Sequence, residues 1–268
     1  MKHEIIRLFD DRPWVTLEYF GNELSGGPRD AMLVIPGGGY QVVCSDREGY
    51  PIALAFLLNN RNTFILNYSV GQQITTPLQV LEEASMAIIY IRKNAEKFDI
   101  NPERIFAVGF SAGAHLAGWL GTCWKNEILV NLSKMNSAIN KPKGIILCYP
   151  VVSTYSEKEN WFENVFKTAP ITAEQKEIIS LYQHVDADSS PAFILHTFDD
   201  EMVPVRNSLD LAQAYNNASV PFELHIYPHA PHGVALANKT TSICKSDYEN
   251  SQIARWVNDS CVWMDNIG

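Results

Sequence analysis

Short apolar runs alternate along this chain with longer segments in which apolar residues recur at helical spacing. The run over residues 31–35, AMLVI, is apolar throughout, which is typical of a parallel strand buried on both faces. Repeated strand-then-helix order demands a mostly parallel sheet with helices packed on both faces. We therefore predict the α/β fold class. The predicted strands are residues 15–20, 31–35, 63–68, 104–108, 143–149, 192–196 and 222–227.

Five segments have the apolar spacing and the end signals of helices. The second of them has a well-defined start, because Thr76 can cap it, Pro77 suits its first turn and Gln79 can complete a capping box. The predicted helices are residues 52–60, 77–97, 112–124, 205–217 and 247–261.

Residues 152–185 carry no strand pattern, but they contain scattered aromatic side chains. We predict that this segment forms a small helical cap, inserted into a single domain that spans residues 1–268. The aromatic side chains in question are Tyr155, Trp161, Phe162 and Phe166.

The pentapeptide Gly109-Phe110-Ser111-Ala112-Gly113 matches G-x-S-x-G and lies between a predicted strand and a predicted helix. A sharp strand-to-helix turn crowds its neighbours, and glycine removes that crowding. Such a turn holds a serine hydroxyl over the edge of the sheet, next to the free N–H groups of the following helix. Ser111 is therefore a candidate nucleophile, although a plain turn would also explain the two glycines.

A serine nucleophile needs a base and an orienting carboxylate. His232 follows the last predicted strand, and His229 competes with it from three residues away. Asp199 and Asp200 follow the preceding strand, where a solvated acidic turn is an equally good explanation. The order Ser111, Asp200, His232 is the one found in α/β-hydrolases, and the orders of other serine hydrolases do not match it.

Three glycines, Gly37-Gly38-Gly39, follow the second predicted strand. Acyl transfer builds negative charge on the former carbonyl oxygen, which fixed N–H donors must stabilise. Glycine lets the backbone approach that oxygen closely, so the amides of Gly38 and Gly39, together with that of Ala112, are the candidate oxyanion hole. A flexible turn is the alternative explanation for this loop.

Charge and cysteine content argue against several classes of function. The formal net charge is −9 and the pI about 5.2, and an acidic surface repels nucleic acid. The five cysteines form no CxxC pair, no HExxH or other metal-ligand spacing occurs, and the nucleotide-binding glycine motifs are absent. We therefore expect no metal and no other cofactor.

No apolar segment of a signal peptide follows Lys2, and no run approaches the roughly 18 apolar residues of a membrane span. We therefore expect a cytoplasmic protein without a membrane partner. Its expected partner is a small-molecule substrate, and the oligomeric state, homo-oligomers included, stays open.

Five segments carry a resemblance to a known family: 36–40 (PGGGY), 99–105 (DINPERI), 109–117 (GFSAGAHLA), 200–204 (DEMVP) and 232–233 (HG). In these segments the chain resembles the α/β-hydrolase carbohydrate esterases, which include acetyl-xylan and feruloyl esterases, and the broader hormone-sensitive-lipase-like esterases. The resemblance implies the α/β-hydrolase fold and serine esterase activity on short-chain, above all acetyl, esters of carbohydrates or small alcohols.

The resemblance also implies roles for residues of the site. Ser111 would be the nucleophile, His232 the base and Asp200 the acid, because the acid of this family stands three residues before a Val-Pro pair. Residues 45–51 resemble the carbohydrate-esterase subset, so Arg47 and Glu48 either line the mouth of the pocket or cap the next helix and pair with each other.

The aromatics of the predicted cap, together with Tyr40, either stack on sugar rings or pack within the protein. Two rival functions remain open at this stage. One is a peptidase-like serine hydrolase, and the other is a ligand-binding protein that has kept the hydrolase scaffold without turnover.

Overall fold

The computed structural model describes residues 1–22, 26–125, 139–153 and 173–267. Its centre is an eight-stranded sheet with the spatial order β1-β2-β4-β3-β5-β6-β7-β8. The first two strands run antiparallel to their neighbours, and all other pairs are parallel. The strands are β1 Lys2–Arg7, β2 Thr16–Gly21, β3 Arg29–Ile35, β4 Asn62–Asn67, β5 Ile100–Phe110, β6 Ile145–Cys148, β7 Ala192–Thr197 and β8 Phe222–Tyr227.

Helices cover both faces of this sheet, because side chains that alternate along each buried strand point to opposite faces. On one face, the strands pack against α2, α3 and α5. On the other face, they pack against α1 and α6. The α-helices among the described residues are α1 Tyr50–Leu58, α2 Pro77–Lys93, α3 Ala112–Cys123, α4 Ala173–Ile179, α5 Arg206–Asn217 and α6 Trp256–Asn266.

The predicted mostly parallel sheet with helices on both faces is confirmed. In such a sheet the carboxyl ends of the parallel strands lie along one edge, where sites are usually built. The ends of β3, β5, β7 and β8 therefore bring the loops after Ile35, Phe110, Thr197 and Tyr227 to the same edge.

Strand β1 was not predicted, because Lys2–Arg7 is rich in charged side chains and only Ile6 is buried. It becomes a strand by pairing antiparallel with β2 at the margin of the sheet. This is a tertiary effect, since backbone pairing needs no apolar pattern at an edge.

Two helix predictions are wrong in detail. The last helix begins at Trp256, not at residue 247, and only short 3₁₀ turns at Ser246–Tyr248 and Ile253–Arg255 precede it. At the start of α2, Thr76 makes no side-chain cap; Gln79 instead accepts hydrogen bonds from the backbone N and Oγ1 of Thr75 at 2.9 and 2.7 Å. The predicted capping box between Thr76 and Gln79 is therefore replaced by hydrogen bonds between Thr75 and Gln79.

Most of the predicted cap lies outside the described residues, including all four aromatic side chains named for it. Its described parts are residues 152–153 and 173–185, which contain the helix α4 and a 3₁₀ turn at Leu181–Gln183. Within the described parts of the chain, no helix combines the length and the apolar character that a membrane crossing requires.

Candidate active site

Ser111 lies at a strained turn between β5 and α3. Its backbone angles are φ 53° and ψ −116°, in a region that side-chain-bearing residues seldom adopt. The turn is also tight, since a Cβ on Gly113 would come 2.1 Å from the carbonyl oxygen of Ile35 and 2.4 Å from that of Pro36. Glycine is therefore required at position 113, as the sequence motif predicts.

His232 lies in the loop after β8, and its imidazole faces the serine. Its Nε2 is 2.9 Å from Oγ of Ser111, although 121 residues separate the two in sequence. Its Nδ1 is 2.6 Å from Oδ2 of Asp200. A carboxylate can only accept, so Nδ1 carries the proton and Nε2 is left to accept from the serine hydroxyl.

Asp200 lies in the loop after β7 and is nearly buried, with 5% of its surface exposed. Its Oδ1 accepts hydrogen bonds from the backbone N–H groups of Met202 and Val203, at 2.9 and 2.8 Å. Burial alone would raise the pKa of Asp200, but hydrogen bonds from His196 and His232 and the charge of His232 hold it below its usual range. The group is therefore held as a carboxylate.

The competing residues, Asp199 and His229, pair with each other at the surface. Oδ2 of Asp199 is 3.0 Å from Nδ1 of His229, whose side chain is 82% exposed. The structure therefore brings Ser111, His232 and Asp200 together and leaves this second pair outside their contact.

One contact of Asp200 was not anticipated from the sequence. His196, at the end of β7 and fully buried, places Nε2 3.4 Å from Oδ2 of Asp200 and 2.9 Å from the carbonyl oxygen of Val203. Its Nδ1 is 2.7 Å from Oγ of Ser208. A histidine four residues before the acid, at the end of a buried strand, is the signal that could have indicated this contact.

The glycine loop after β3 faces the serine. Gly38 has φ 126°, and a Cβ there would lie 2.1 Å from the carbonyl oxygen of Val42, so only glycine fits. The amides of Gly38, Gly39 and Ala112 have no hydrogen-bond partner among the described residues. Ala112 is the first residue of α3, where an unpaired N–H is normal and electropositive.

A cavity of about 530 Å³ opens over these groups. This volume is typical of a small-molecule site. A larger cleft of about 930 Å³ beside α5 is lined by none of Ser111, His232 and Asp200. The smaller cavity is lined by Gly38, Gly39, Cys44, Arg47, Glu48, Ser111, Val151, Met202, Val203, Pro204, Asn207, His232, Gly233 and Tyr248.

Arg47 and Glu48 both line this cavity, and neither caps α1, whose N-terminal cap position is Gly49. Arg47 donates a hydrogen bond to the carbonyl oxygen of Gly233, and its guanidinium lies 5.2 Å from the ring centre of Tyr248. Glu48 accepts from the backbone N–H of Gly37 at 2.8 Å. The first of the two sequence interpretations, a place at the pocket, is the one that the structure favours.

Tyr40 does not reach the cavity. It is fully buried, and its hydroxyl group is 2.8 Å from Nδ1 of His115. Of the two roles considered for this side chain, packing within the protein is therefore correct and sugar stacking is wrong.

This arrangement can transfer a proton and stabilise an anion at one place. A neutral imidazole accepts from the serine hydroxyl, a buried carboxylate fixes its tautomer, and unpaired backbone amides belong to the glycine loop that lines the cavity and to the residue after the serine. No cluster of three or more potential metal ligands occurs among the side chains that the structure describes.

Comparison with known proteins gives one family match and several relatives. Residues 19–215 match the BD-FAE family. The chain is 36% identical over 212 residues to Endo-1,4-beta-xylanase B from Butyrivibrio fibrisolvens, covering 78% of this chain and 33% of that protein. It is 28% identical over 209 residues to an acetylxylan esterase from Xylanibacter ruminicola, covering 76% of this chain and 40% of that protein. The chain thus spans about a third to two fifths of these two relatives.

Among solved structures, an acetyl ester-xyloside bifunctional hydrolase from Caldicellulosiruptor lactoaceticus superposes with a TM-score of 0.83. The two are 31% identical, and the match covers 99% of this chain and 96% of that one. The resemblance to carbohydrate esterases and the α/β-hydrolase fold are thereby confirmed. Because the family match covers most of the sequence, this chain belongs to the BD-FAE family.

Proposed function

We propose that this protein is a serine esterase, a carboxylic ester hydrolase that works without a cofactor. The observation that carries the proposal is the hydrogen-bonded chain from Oγ of Ser111 through His232 to Asp200, at distances of 2.9 and 2.6 Å. This chain faces a cavity of about 530 Å³ at the carboxyl edge of the sheet. Names of relatives, which include an acetylxylan esterase, support the same reaction class.

In the proposed mechanism, Oγ of Ser111 attacks the ester carbonyl carbon as its proton passes to Nε2 of His232. The carbonyl π electrons move to the oxygen, where the amides of Gly38, Gly39 and Ala112 donate to it. The tetrahedral intermediate then collapses, and the C–O bond to the alcohol breaks. His232 protonates the departing alkoxide, which leaves an acyl-Ser111 ester.

Water completes the proposed cycle. His232 takes one proton from water as the water oxygen attacks the acyl carbon, and a second tetrahedral intermediate forms. Its collapse releases the carboxylic acid and returns the proton to Oγ of Ser111. In both halves, the carboxylate of Asp200 accepts from Nδ1 and stabilises the imidazolium without taking its proton.

For the substrate, we propose short acyl groups, above all acetyl, on a carbohydrate or a similar small alcohol. Similarity to an acetylxylan esterase and to an acetyl ester-xyloside bifunctional hydrolase supports this choice. The cavity has polar side chains for hydroxyl groups in Arg47, Asn207 and Tyr248, beside the apolar Val151 and Met202. Such mixed linings suit small polar ligands with an apolar face.

Three further parts of the proposal concern the whole chain. Residues 152–185 are proposed as a cap over the single domain. A cytoplasmic location is proposed as well; the five cysteines are free thiols, as is usual in reducing compartments. The proposed partner is the small-molecule ester, with acetylated sugars as the leading candidates.

The test compares kcat/KM across nitrophenyl acetate, butyrate, octanoate and palmitate with acetate release from acetylated xylo-oligosaccharides. We expect a maximum at acetate and release of acetate from the sugar. A maximum at eight carbons or beyond, with no acetate released, would favour a lipid esterase instead. Titration with an organophosphate tests the alternative that the chain is a ligand-binding protein without turnover. A binding protein without an activated serine does not react with it.

A further inference from the structure

A second buried carboxylate lies beside the glycine loop, close to Ser111. Glu48 belongs to a single π-helical turn over Ser45–Gly49 and is only 5% exposed. A Cβ placed on Gly37 would lie 2.7 Å from Oε2 of Glu48 and 3.2 Å from Cβ of Ser111. This carboxylate and the proposed nucleophile therefore both lie next to Gly37. The steps proposed above for Ser111, His232 and Asp200 make no use of it.

Both oxygens of Glu48 accept hydrogen bonds. Oε2 accepts from the backbone N–H of Gly37 at 2.8 Å, and Oε1 lies 2.7 Å from the hydroxyl oxygen of Tyr149. That hydroxyl oxygen accepts from the backbone N–H of Ala235 at 3.2 Å, so its own hydrogen is free to point at Glu48. Two donors and no acceptor suit the ionised form of the side chain.

These bonds join two loops of the site. Gly37 begins the loop of the candidate oxyanion hole, and Ala235 follows His232 in the loop of the proposed base. The ring of Tyr149 also meets the imidazole of His232 edge-on, with 4.9 Å between ring centres. The neighbouring Arg47 ties the same turn to the carbonyl oxygen of Gly233. The π-helical turn thus fixes the position of the glycine loop relative to the loop that carries His232.

Several ionisable groups lie near Glu48. Arg47 is the cationic side chain near it, and His232 becomes cationic when it takes the proton of Ser111. The ionisable side chains of Tyr68, Tyr149, Cys44 and Cys148 also lie near it, in neutral form. Burial raises the pKa of Glu48, while the hydrogen bonds of Tyr149 and Gly37 and the charges of His232 and Arg47 oppose that rise.

We propose that Glu48 is a positioning residue of the reaction: it holds the oxyanion loop at Gly37, holds the histidine loop through Tyr149, and places a negative charge near His232. The inference rests on the proposed esterase function. A transition state with an imidazolium gains from a nearby negative charge, and the fixed amides gain from a loop that does not move.

Glu48→Gln tests the charge with little change of volume. The amide oxygen can keep the bond from Gly37, and the amide nitrogen can donate to the oxygen of Tyr149. We expect kcat on nitrophenyl acetate to fall about tenfold or more, with KM within about threefold. The acid limb of the kcat/KM–pH profile should move to lower pH, because the variant has lost a negative charge that stabilises the imidazolium.

Glu83→Gln is the matched control. Glu83 is also a fully buried carboxylate, which accepts from the backbone N and Oγ of Ser69 at 2.8 and 2.7 Å and pairs with Arg12, away from the cavity. We expect this variant to melt at a lower temperature with the kcat and the pH profile of the parent protein. A general effect of losing a buried carboxylate would change both variants alike.

Tyr149→Phe removes the link between the loops and keeps the charge of Glu48. We expect it to lower kcat several-fold. If Glu48→Gln does not fold, Tyr149→Phe tests the role of Glu48 in its place. An unchanged kcat in Tyr149→Phe overturns the inference. A folded Glu48→Gln with the kcat and the pH profile of the parent protein also overturns it, as does an equal pH shift in Glu83→Gln. Failure of the parent protein itself to hydrolyse the ester or to react with a fluorophosphonate would instead refute the esterase proposal.

Discussion

Replacing Asp200 by asparagine exchanges one acceptor oxygen for an amide nitrogen that can only donate. The backbone N–H groups of Met202 and Val203 both donate to Oδ1, so the amide oxygen has to remain on that side. The NH₂ group then occupies the place of Oδ2, which lies 2.6 Å from Nδ1 of His232. Two donors cannot face each other at that distance, so Nδ1 must become an acceptor.

The consequence is a change of tautomer at the base. With Nδ1 unprotonated, the neutral imidazole carries its proton on Nε2, which is 2.9 Å from Oγ of Ser111. A protonated Nε2 cannot take the serine proton, so nucleophile activation is lost while the geometry remains. The corresponding substitution in a serine protease lowers kcat about 10⁴-fold, which corresponds to about 5 kcal/mol of activation free energy. We expect a loss of the same order here.

Asp199→Asn is the matched comparison, one residue away. Asp199 pairs with the exposed His229 and with the backbone N–H of Ala230, outside the cavity. We expect kcat within about twofold of the parent protein, since a surface pair contributes little. The assay is nitrophenyl acetate hydrolysis at pH 8, with thermal melts to verify that both variants are folded. If Asp199→Asn is the more damaging substitution, or if Asp200→Asn keeps more than a few per cent of kcat, the assignment of the acid is wrong.

Further predictions concern the nucleophile, metals and acid stability. Ser111→Ala should lower turnover on the order of 10⁶-fold without unfolding the protein, and more than a few per cent of residual activity would refute its role as nucleophile. Activity should be unchanged by EDTA, because histidine and backbone amides perform the proposed steps; loss that one added metal restores would contradict this. Burial lowers the pKa of His115 from 6.5 to about 4, so the unfolded chain binds more protons between these values. The contribution of His115 to the free energy of unfolding should therefore fall by about 3 kcal/mol as pH drops from 6.5 to 4, and in urea titrations His115→Gln should lose this part of the pH dependence.

The architecture could be predicted to a large extent from local patterns. Residues 31–35 of β3 and all of β6 are apolar, and such runs can be recognised without knowing their neighbours. β1 could not be predicted, because its strand character depends on pairing with β2 and not on apolar side chains. The start of α6 was also misplaced. The sequence pattern of residues 247–255 predicted a helix, but two short 3₁₀ turns precede Trp256 there.

The residues of the candidate site could be nominated from the sequence only in part. Gly109, Ser111 and Gly113 carry a motif whose strand and helix context is itself readable. For the acid, the sequence left two adjacent aspartates, and the choice of Asp200 came from the family resemblance. For the base, it left two nearby histidines, and the place of His232 after the last predicted strand, directly before Gly233, favoured it over His229. No role was predicted for His196, although its place four residues before Asp200 is a signal in the sequence. Nothing in the local sequence separated the two interpretations of Glu48.

By itself, then, the sequence determined the layers of the fold, the turn at Ser111 and the loops that meet at the carboxyl edge of the sheet, because backbone propensity and apolar periodicity act over a few residues. Only the tertiary structure decided which side chain of each loop points inward. Asp200 and Asp199 have the same chemistry and nearly the same place in the chain, yet one is buried against His232 and the other is paired with His229 at the surface. The position of Glu48 between Gly37 and Tyr149 was decided in the same way, since contacts between residues 11 and 101 positions apart arise from packing of the whole domain.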